Sequence, residues 1–259
     1  MARKFVSQIL NDKNKCTVSF LGVFDTVAAM NGIHRKGEKI SSDVVFENGT
    51  LNARVQRAVH IVSLDEDRVP FDPTLINKDG KNPDRILEVW FPGVHSDIGG
   101  GYWFDGLSDQ ALRFMIKQCE ATLGKDIAIK PGNQAGIKNL LVQQGKAMAG
   151  LTVDDIAINP MIQGILHTHS GLLTEIGAQE PRMIRVNVND RPSKNLNDLP
   201  ILYQCVKERF DKVTGYRPPA LRGLSFKLLL NNGNLSNKIE GISGLREYKI
   251  PKSTKAAKQ

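Results

Sequence analysis

ILEVWFPGVHSDIGGGY, residues 86–102, is the stretch on which the fold reading turns. Ile86 to Phe91 is a short apolar run of branched and aromatic residues, the character of a strand buried on both faces. Pro92 and Gly93 end it, since proline cannot donate to a sheet ladder and both residue types favour turns. His95 therefore stands just past the carboxyl end of a strand. Gly99, Gly100 and Gly101 read as a tight turn, which glycine allows because it lacks a Cβ. Ser108 then caps a helix reaching Leu123, with Ala111, Leu112, Met115, Ile116 and Cys119 on its buried face and Gly124 as its stop.

The same arrangement occurs upstream. Cys16 to Phe24 reads as a second buried parallel strand, and it runs straight into Asp25 and Thr26. Residues 2–10 read as a helix with Phe5, Val6, Ile9 and Leu10 on one face. Leu51 to Val62 reads as an amphipathic helix, because Leu51, Val55, Ala58, Val59 and Val62 fall at helical spacing. Pro70, Pro73 and the 77–83 cluster mark a loop. Farther on, Ile137 to Met148 reads as a helix, Met183 to Val188 as a strand and Leu199 to Phe210 as a helix. Strands alternating with helices argue an α/β fold with a mostly parallel sheet and flanking helices.

In open parallel sheets, functional groups gather just beyond the carboxyl ends of the strands. Two neighbouring strands would then present Asp25 and His95 on one rim. A carboxylate there accepts from one imidazole nitrogen and fixes the tautomer, leaving the other nitrogen to take a proton from a nucleophile. Acid before histidine is also the chain order of α/β-hydrolases. The bland reading of Asp25 is a turn or cap residue following a strand.

Composition narrows the classes. The chain has 259 residues, 41% of them hydrophobic, so it can bury a sizeable core. Cys16, Cys119 and Cys205 are too scattered for a disulfide framework or a zinc site, and a reducing compartment fits them. Met1 to Leu10 lacks the long apolar stretch of a signal peptide, which points to synthesis in the cytoplasm. The net charge of +8 favours anionic partners such as a phospholipid surface, with simple solubility as the plainer explanation. No zinc knuckle or RNP-type word supports nucleic acid as a partner.

Four longer words appear in order: Leu21-Gly-Val-Phe-Asp-Thr-Val27; Ala58-Val-His-Ile-Val-Ser-Leu-Asp-Glu-Asp-Arg68 with Phe71; Trp90-Phe-Pro-Gly-Val-His-Ser-Asp-Ile-Gly-Gly-Gly-Tyr102; and Leu107-Ser-Asp-Gln-Ala-Leu112. Together they resemble the DUF2235 family of α/β-hydrolases, which includes the catalytic domain of Tle1-like phospholipase effectors of bacterial type VI secretion. The resemblance is dense over residues 1–124 and thinner beyond. It implies a serine ester hydrolase acting on lipid without metal or organic cofactor, with Asp25 and His95 as the acid and base of a triad. It also implies export as a type VI effector. The family's nucleophile lies in a Gly-Phe-Ser-Arg-Gly elbow ahead of the first helix. No Gly-x-Ser-x-Gly occurs among these 259 residues. Gly241-Ile-Ser243-Gly and Gly223-Leu-Ser225 are near misses.

The expectation is thus a partial α/β-hydrolase fold without its first strands and nucleophile elbow. Residues 1–124 would form the C-terminal part of the hydrolase domain, 125–248 a family-like extension, and 249–259 a disordered basic tail. Such a chain would be inactive alone, would take a lipid ester only when completed by an N-terminal fragment, and would be poorly soluble or oligomerise, because the strand bearing Asp25 exposes an edge or a bare apolar face. The competing readings are a non-catalytic, partner-binding remnant and a basic module for anionic lipid or nucleic acid.

Other residues receive structural expectations. His60 reads as a histidine satisfied by a nearby carbonyl or carboxylate. Arg68 would hold Asp65 or a substrate phosphate. Asp97 would cap the turn or brace the glycine loop. His167-x-His169 has metal-like spacing but no third ligand, and Asp25, His95 and Asp97 could in principle form a metal phosphoesterase site. Arg191-Pro192 and Tyr216 to Pro219 read as rigid connectors.

Overall fold

A computed structural model describes residues 17–27, 50–78, 80, 82–124, 158–168 and 179–251. Its centre is a 6-stranded sheet. The strands are β1 (Leu21–Phe24), β2 (Ala58–Ser63), β3 (Ile86–Phe91), β6 (Ile201–Tyr203), β7 (Ser225–Leu229) and β8 (Ile239–Glu240), in that spatial order. All neighbours are parallel except β7 and β8, which are antiparallel. A separate antiparallel pair is formed by β4 (Asn187–Val188) and β5 (Arg191–Pro192). The helices are α1 (His95–Gly99), α2 (Gly106–Leu123), α3 (Gln204–Lys212) and α4 (Gly241–Glu247). The chain is therefore α/β, with a mostly parallel sheet and flanking helices.

Alternation along the central strands divides the core between two faces. Val59 and Ile61 of β2 join Val89 and Phe91 of β3, with Ala111, Phe114 and Met115 of α2 covering them. Val62 and Trp90 point the other way, into a cluster with Leu202, Val206, Phe210, Phe226 and Leu245. Helices α2 and α3 thus cover opposite faces. At Gly22 an added Cβ would lie 2.7 Å from Met115 Sδ, so α2 packs directly on β1 there.

Several expectations need correcting. The 51–62 segment is not a helix: its second half is β2, paired along its length with β3 and from Ala58 to Ile61 with β1. A strand buried on both faces is apolar throughout, and such a run mimics helical spacing. Residues 199–210 split in the same way. Ile201–Tyr203 bridges β3 and β7, and the helix begins only at Gln204. Helix α2 starts two residues earlier than Ser108, with Asp105 at its N-cap, and the Ser108 hydroxyl donates to the Asp105 carbonyl at 2.9 Å. The first strand is shorter than read, and Val18 makes only an isolated bridge to Val55. The readings at residues 2–10, Cys16, 137–148, His169 and 252–259 lie outside the described residues. The sheet runs on past position 124 into β6, β7 and β8.

Candidate active site

Asp25 is the residue immediately after β1, and it is fully buried. Its φ of +41° is in the left-handed region, where a non-glycine residue is strained and marks a position held by its surroundings. Its N–H donates to the Ile61 carbonyl at 2.7 Å. Next to it, the Thr26 N–H donates to His60 Nε2 at 3.2 Å. That nitrogen must be unprotonated to accept, so His60 Nδ1 carries the hydrogen and donates to Glu88 Oε2 at 3.0 Å. His60 is therefore the satisfied structural histidine foreseen, on a strand rather than a helix, and it pins the Asp25 corner.

His95 opens α1, four residues beyond β3. Its Nδ1 lies 2.7 Å from Asp25 Oδ2. The pair bridges β1 and β3, and these strands are not neighbours as expected: β2 lies between them. The end of β2 takes part, since the Ser63 N–H donates to Asp25 Oδ1 at 2.8 Å. His95 Nε2 has no hydrogen-bond partner among the described residues, and the side chain is 29% exposed. One edge of the ring meets Phe71, centroid to centroid 5.2 Å at 67°.

A buried carboxylate fixes the main chain at His95. Glu66 Oε2 accepts the His95 N–H at 3.1 Å, while Arg68 grips Glu66 through Nε at 2.7 Å and Nη2 at 2.9 Å. The Arg68 guanidinium lies 3.5 Å above the Phe71 ring. Arg68 thus pairs with Glu66, not with Asp65 as read from sequence. Burial alone would push Glu66 up, but the Arg68 fork and the two N–H donors hold it at about 2. Asp65 instead accepts from the Gly93 N–H and the Tyr216 hydroxyl, each at 2.8 Å, and burial raises it to about 6. Tyr216 is accordingly a buried anchor as well as part of a connector.

Gly93 is required by geometry. Its φ is +132°, and an added Cβ would sit 2.6 Å from Asp97 Cβ. Asp97 turns back beneath it: Oδ2 accepts from the Val94 N–H at 3.1 Å and from the His167 N–H at 3.2 Å, and Oδ1 lies 2.5 Å from His167 Nδ1. The His167 ring stacks on Tyr102 at 3.7 Å. Asp97 therefore braces the turn, and it does so through a histidine read as half of a metal pair. Among the described residues, no three His, Cys, Asp or Glu side chains gather to hold a metal ion.

Sequence reasoning missed Arg182. Its Nη1 donates to Asp25 Oδ1 at 2.5 Å and its Nη2 to Asp25 Oδ2 at 2.9 Å. Nη1 also reaches the Ser63 carbonyl at 3.0 Å, and Nη2 bonds the Phe71 carbonyl. Burial opposes ionisation of Asp25, but the bonds from His95, Arg182 and Ser63 outweigh it and bring the carboxyl down to about 2. The sequence alone carries no signal for it; the structure shows Arg182 and Ile184 buried and Met183 between them exposed, so an arginine occupies an inward position.

This is an ionised acid, an oriented imidazole and a free Nε2 at the carboxyl rim of a parallel sheet. Residues 4–118 match the family described as T6SS, phospholipase effector Tle1-like, catalytic domain. That match bears out the family resemblance. A crystal structure of an uncharacterized protein from Pseudomonas aeruginosa is 21% identical over 54% of this chain and 24% of that one, with a TM-score of 0.32. The chain thus spans about a quarter of that protein's length. No curated protein matches it. Among the described residues, no helix is long and apolar enough to cross a membrane.

Proposed function

We propose that this Tle1-like segment supplies the acid and the base of a Ser–His–Asp triad in a phospholipase-type ester hydrolase. The observation that carries the reading is the 2.7 Å contact between Asp25 Oδ2 and His95 Nδ1, with Nε2 left free. Asp25 holds the imidazole in the tautomer whose Nε2 is a base and stabilises the imidazolium that forms. His95 takes the proton from a serine hydroxyl as that oxygen attacks the acyl carbonyl, and returns it to the departing alcohol.

The serine belongs to polypeptide outside these 259 residues, which hold no Gly-x-Ser-x-Gly word. Ser63 does not substitute for it, because its Oγ is fully enclosed at the end of β2. Strand β1 is the outer strand of the described sheet, so a further parallel strand bearing the elbow can add beside it. The completed protein would act on a lipid ester and travel as a type VI effector.

A lipid-ester assay tests this. In triad hydrolases, loss of the serine costs on the order of a millionfold in turnover, so the purified chain should show no hydrolysis above background. Joined to, or co-expressed with, an upstream polypeptide carrying the elbow, it should hydrolyse the ester in a manner lost on His95→Ala. Robust turnover by the chain alone, lost on His95→Ala, would mean that another nucleophile serves.

A further inference from the structure

We infer that Arg182, which lies outside the segment matching the family, is a positioning residue for the Asp25–His95 pair. The inference rests on the reading of that pair as the acid and base of a hydrolase.

Arg182 is only 5% exposed, and its guanidinium meets both oxygens of Asp25. A two-point fork fixes the plane of a carboxylate in a way that one hydrogen bond cannot. The same guanidinium grips the carbonyls of Ser63, at the end of β2, and of Phe71, whose ring abuts His95. It thereby ties together the three elements that frame the imidazole. The arrangement tolerates a buried Nε with no partner among the described residues, a cost that a purely structural arginine at the surface would avoid. The segment carrying Arg182 is itself anchored beside the site, through the Glu180 N–H donating to the Asp67 carbonyl at 2.8 Å.

The charge has a consequence for the imidazole. Four charged groups surround His95: Asp25 at its Nδ1, Glu66 at its backbone N–H, Arg68 neutralising Glu66, and Arg182 neutralising Asp25. Without Arg182, the carboxylate faces His95 unbalanced and favours the imidazolium more strongly. Two unit charges about 6 Å apart in a partly buried site interact strongly enough to move a titration by about one unit or more.

Titration of the His95 ring protons by NMR, in the full chain, tests this without any need for turnover. Arg182→Met and Arg182→Gln should each move the His95 midpoint upward by about one unit relative to the unsubstituted chain, a roughly tenfold gain in proton affinity. Arg182→Lys, which keeps the charge, should restore most of the original midpoint. The His60 resonances report whether the sheet is intact. An unmoved His95 midpoint in folded Arg182→Met or Arg182→Gln overturns the role of Arg182. So does the unfolding of both uncharged variants, which would make Arg182 a fold element only. Asp25→Asn separates the two levels: it should lower the His95 midpoint, and if it leaves the midpoint in place, the acid–base pair itself is wrong.

Discussion

The described residues hold two aspartate–histidine pairs within a few residues of each other, and their surroundings differ. In both, an imidazole Nδ1 meets a buried carboxylate, at 2.7 Å for His95 and Asp25 and at 2.5 Å for His167 and Asp97. Asp25 ends a strand, takes a strained backbone, and has its remaining bonding capacity filled by a buried arginine and the tip of β2. Asp97 lies in the first turn of α1 and accepts two backbone N–H groups, one from Val94 just ahead of that helix and one from His167. The His167 ring is covered on one side by Tyr102, whereas an edge of the more exposed His95 ring meets Phe71. Distance does not distinguish the proposed acid–base pair from the brace. What distinguishes them is the rest of each carboxylate's shell: a buried arginine fork on Asp25, and a second main-chain N–H on Asp97.

Stability separates the pairs most sharply. Asp25→Ala leaves the Arg182 guanidinium buried without its counter-charge, and breaking such a pair from one side costs about 3–5 kcal/mol. Asp97→Ala removes an acceptor from two main-chain N–H groups and one ring nitrogen but strands no charge, and should cost about 2–3 kcal/mol. Urea denaturation of the two variants gives the ranking. Equal losses would mean that the Arg182 fork adds nothing to what a brace provides.

How far the sequence disclosed this site follows from the range of each interaction. The strand-to-turn words ending at Asp25 and His95 are local, and local patterning identified both members of the pair and the parallel rim that joins them. Strand β2 was misread because its two buried faces erase the alternation that would mark it. The Glu66–Arg68 fork is local too, but the run Asp65-Glu66-Asp67-Arg68 offers three carboxylates to one arginine, and only the fold decides among them. The contacts of Arg182 with Asp25 and of His167 with Asp97 span 157 and 70 positions. No spacing rule reaches so far, and an inward-facing arginine becomes informative only once its register is known.

A third carboxylate, Asp65, lies between the two systems and gives them a pH signature. Asp25 and Glu66 are held at about 2, below the ordinary 3.8 and 4.5, so their contribution to stability is present above about pH 4.5 and is lost as pH falls toward 2. Asp65 runs the other way. Held at about 6, above 3.8, it favours the fold fully below pH 3.8, and this advantage is lost as pH rises through 6. Asp65→Asn removes the penalty of ionising this carboxyl while keeping an acceptor for the Gly93 N–H. Relative to the unsubstituted chain, the variant should therefore gain on the order of 2 kcal/mol between about pH 4 and pH 8. Chemical denaturation at both pH values measures the gain. A difference that does not change with pH would mean that burial of Asp65 carries no such ionisation cost.

The smallest effect is the one that most directly tests the assignment of roles. His167→Phe keeps the ring stacked on Tyr102 and removes the Nδ1 bond to Asp97. Asp97 still accepts from the main-chain N–H groups of Val94 and residue 167, so the turn beneath His95 stays closed. With the side chain partly exposed, the loss should be about 1 kcal/mol. In a completed, active protein, ester hydrolysis should stay within a few-fold of the original, because His167 orients nothing that touches the substrate. If His167→Phe abolished turnover as thoroughly as His95→Ala, the two pairs would have to be read as one proton-handling unit, and the contrast between acid–base pair and brace would fail.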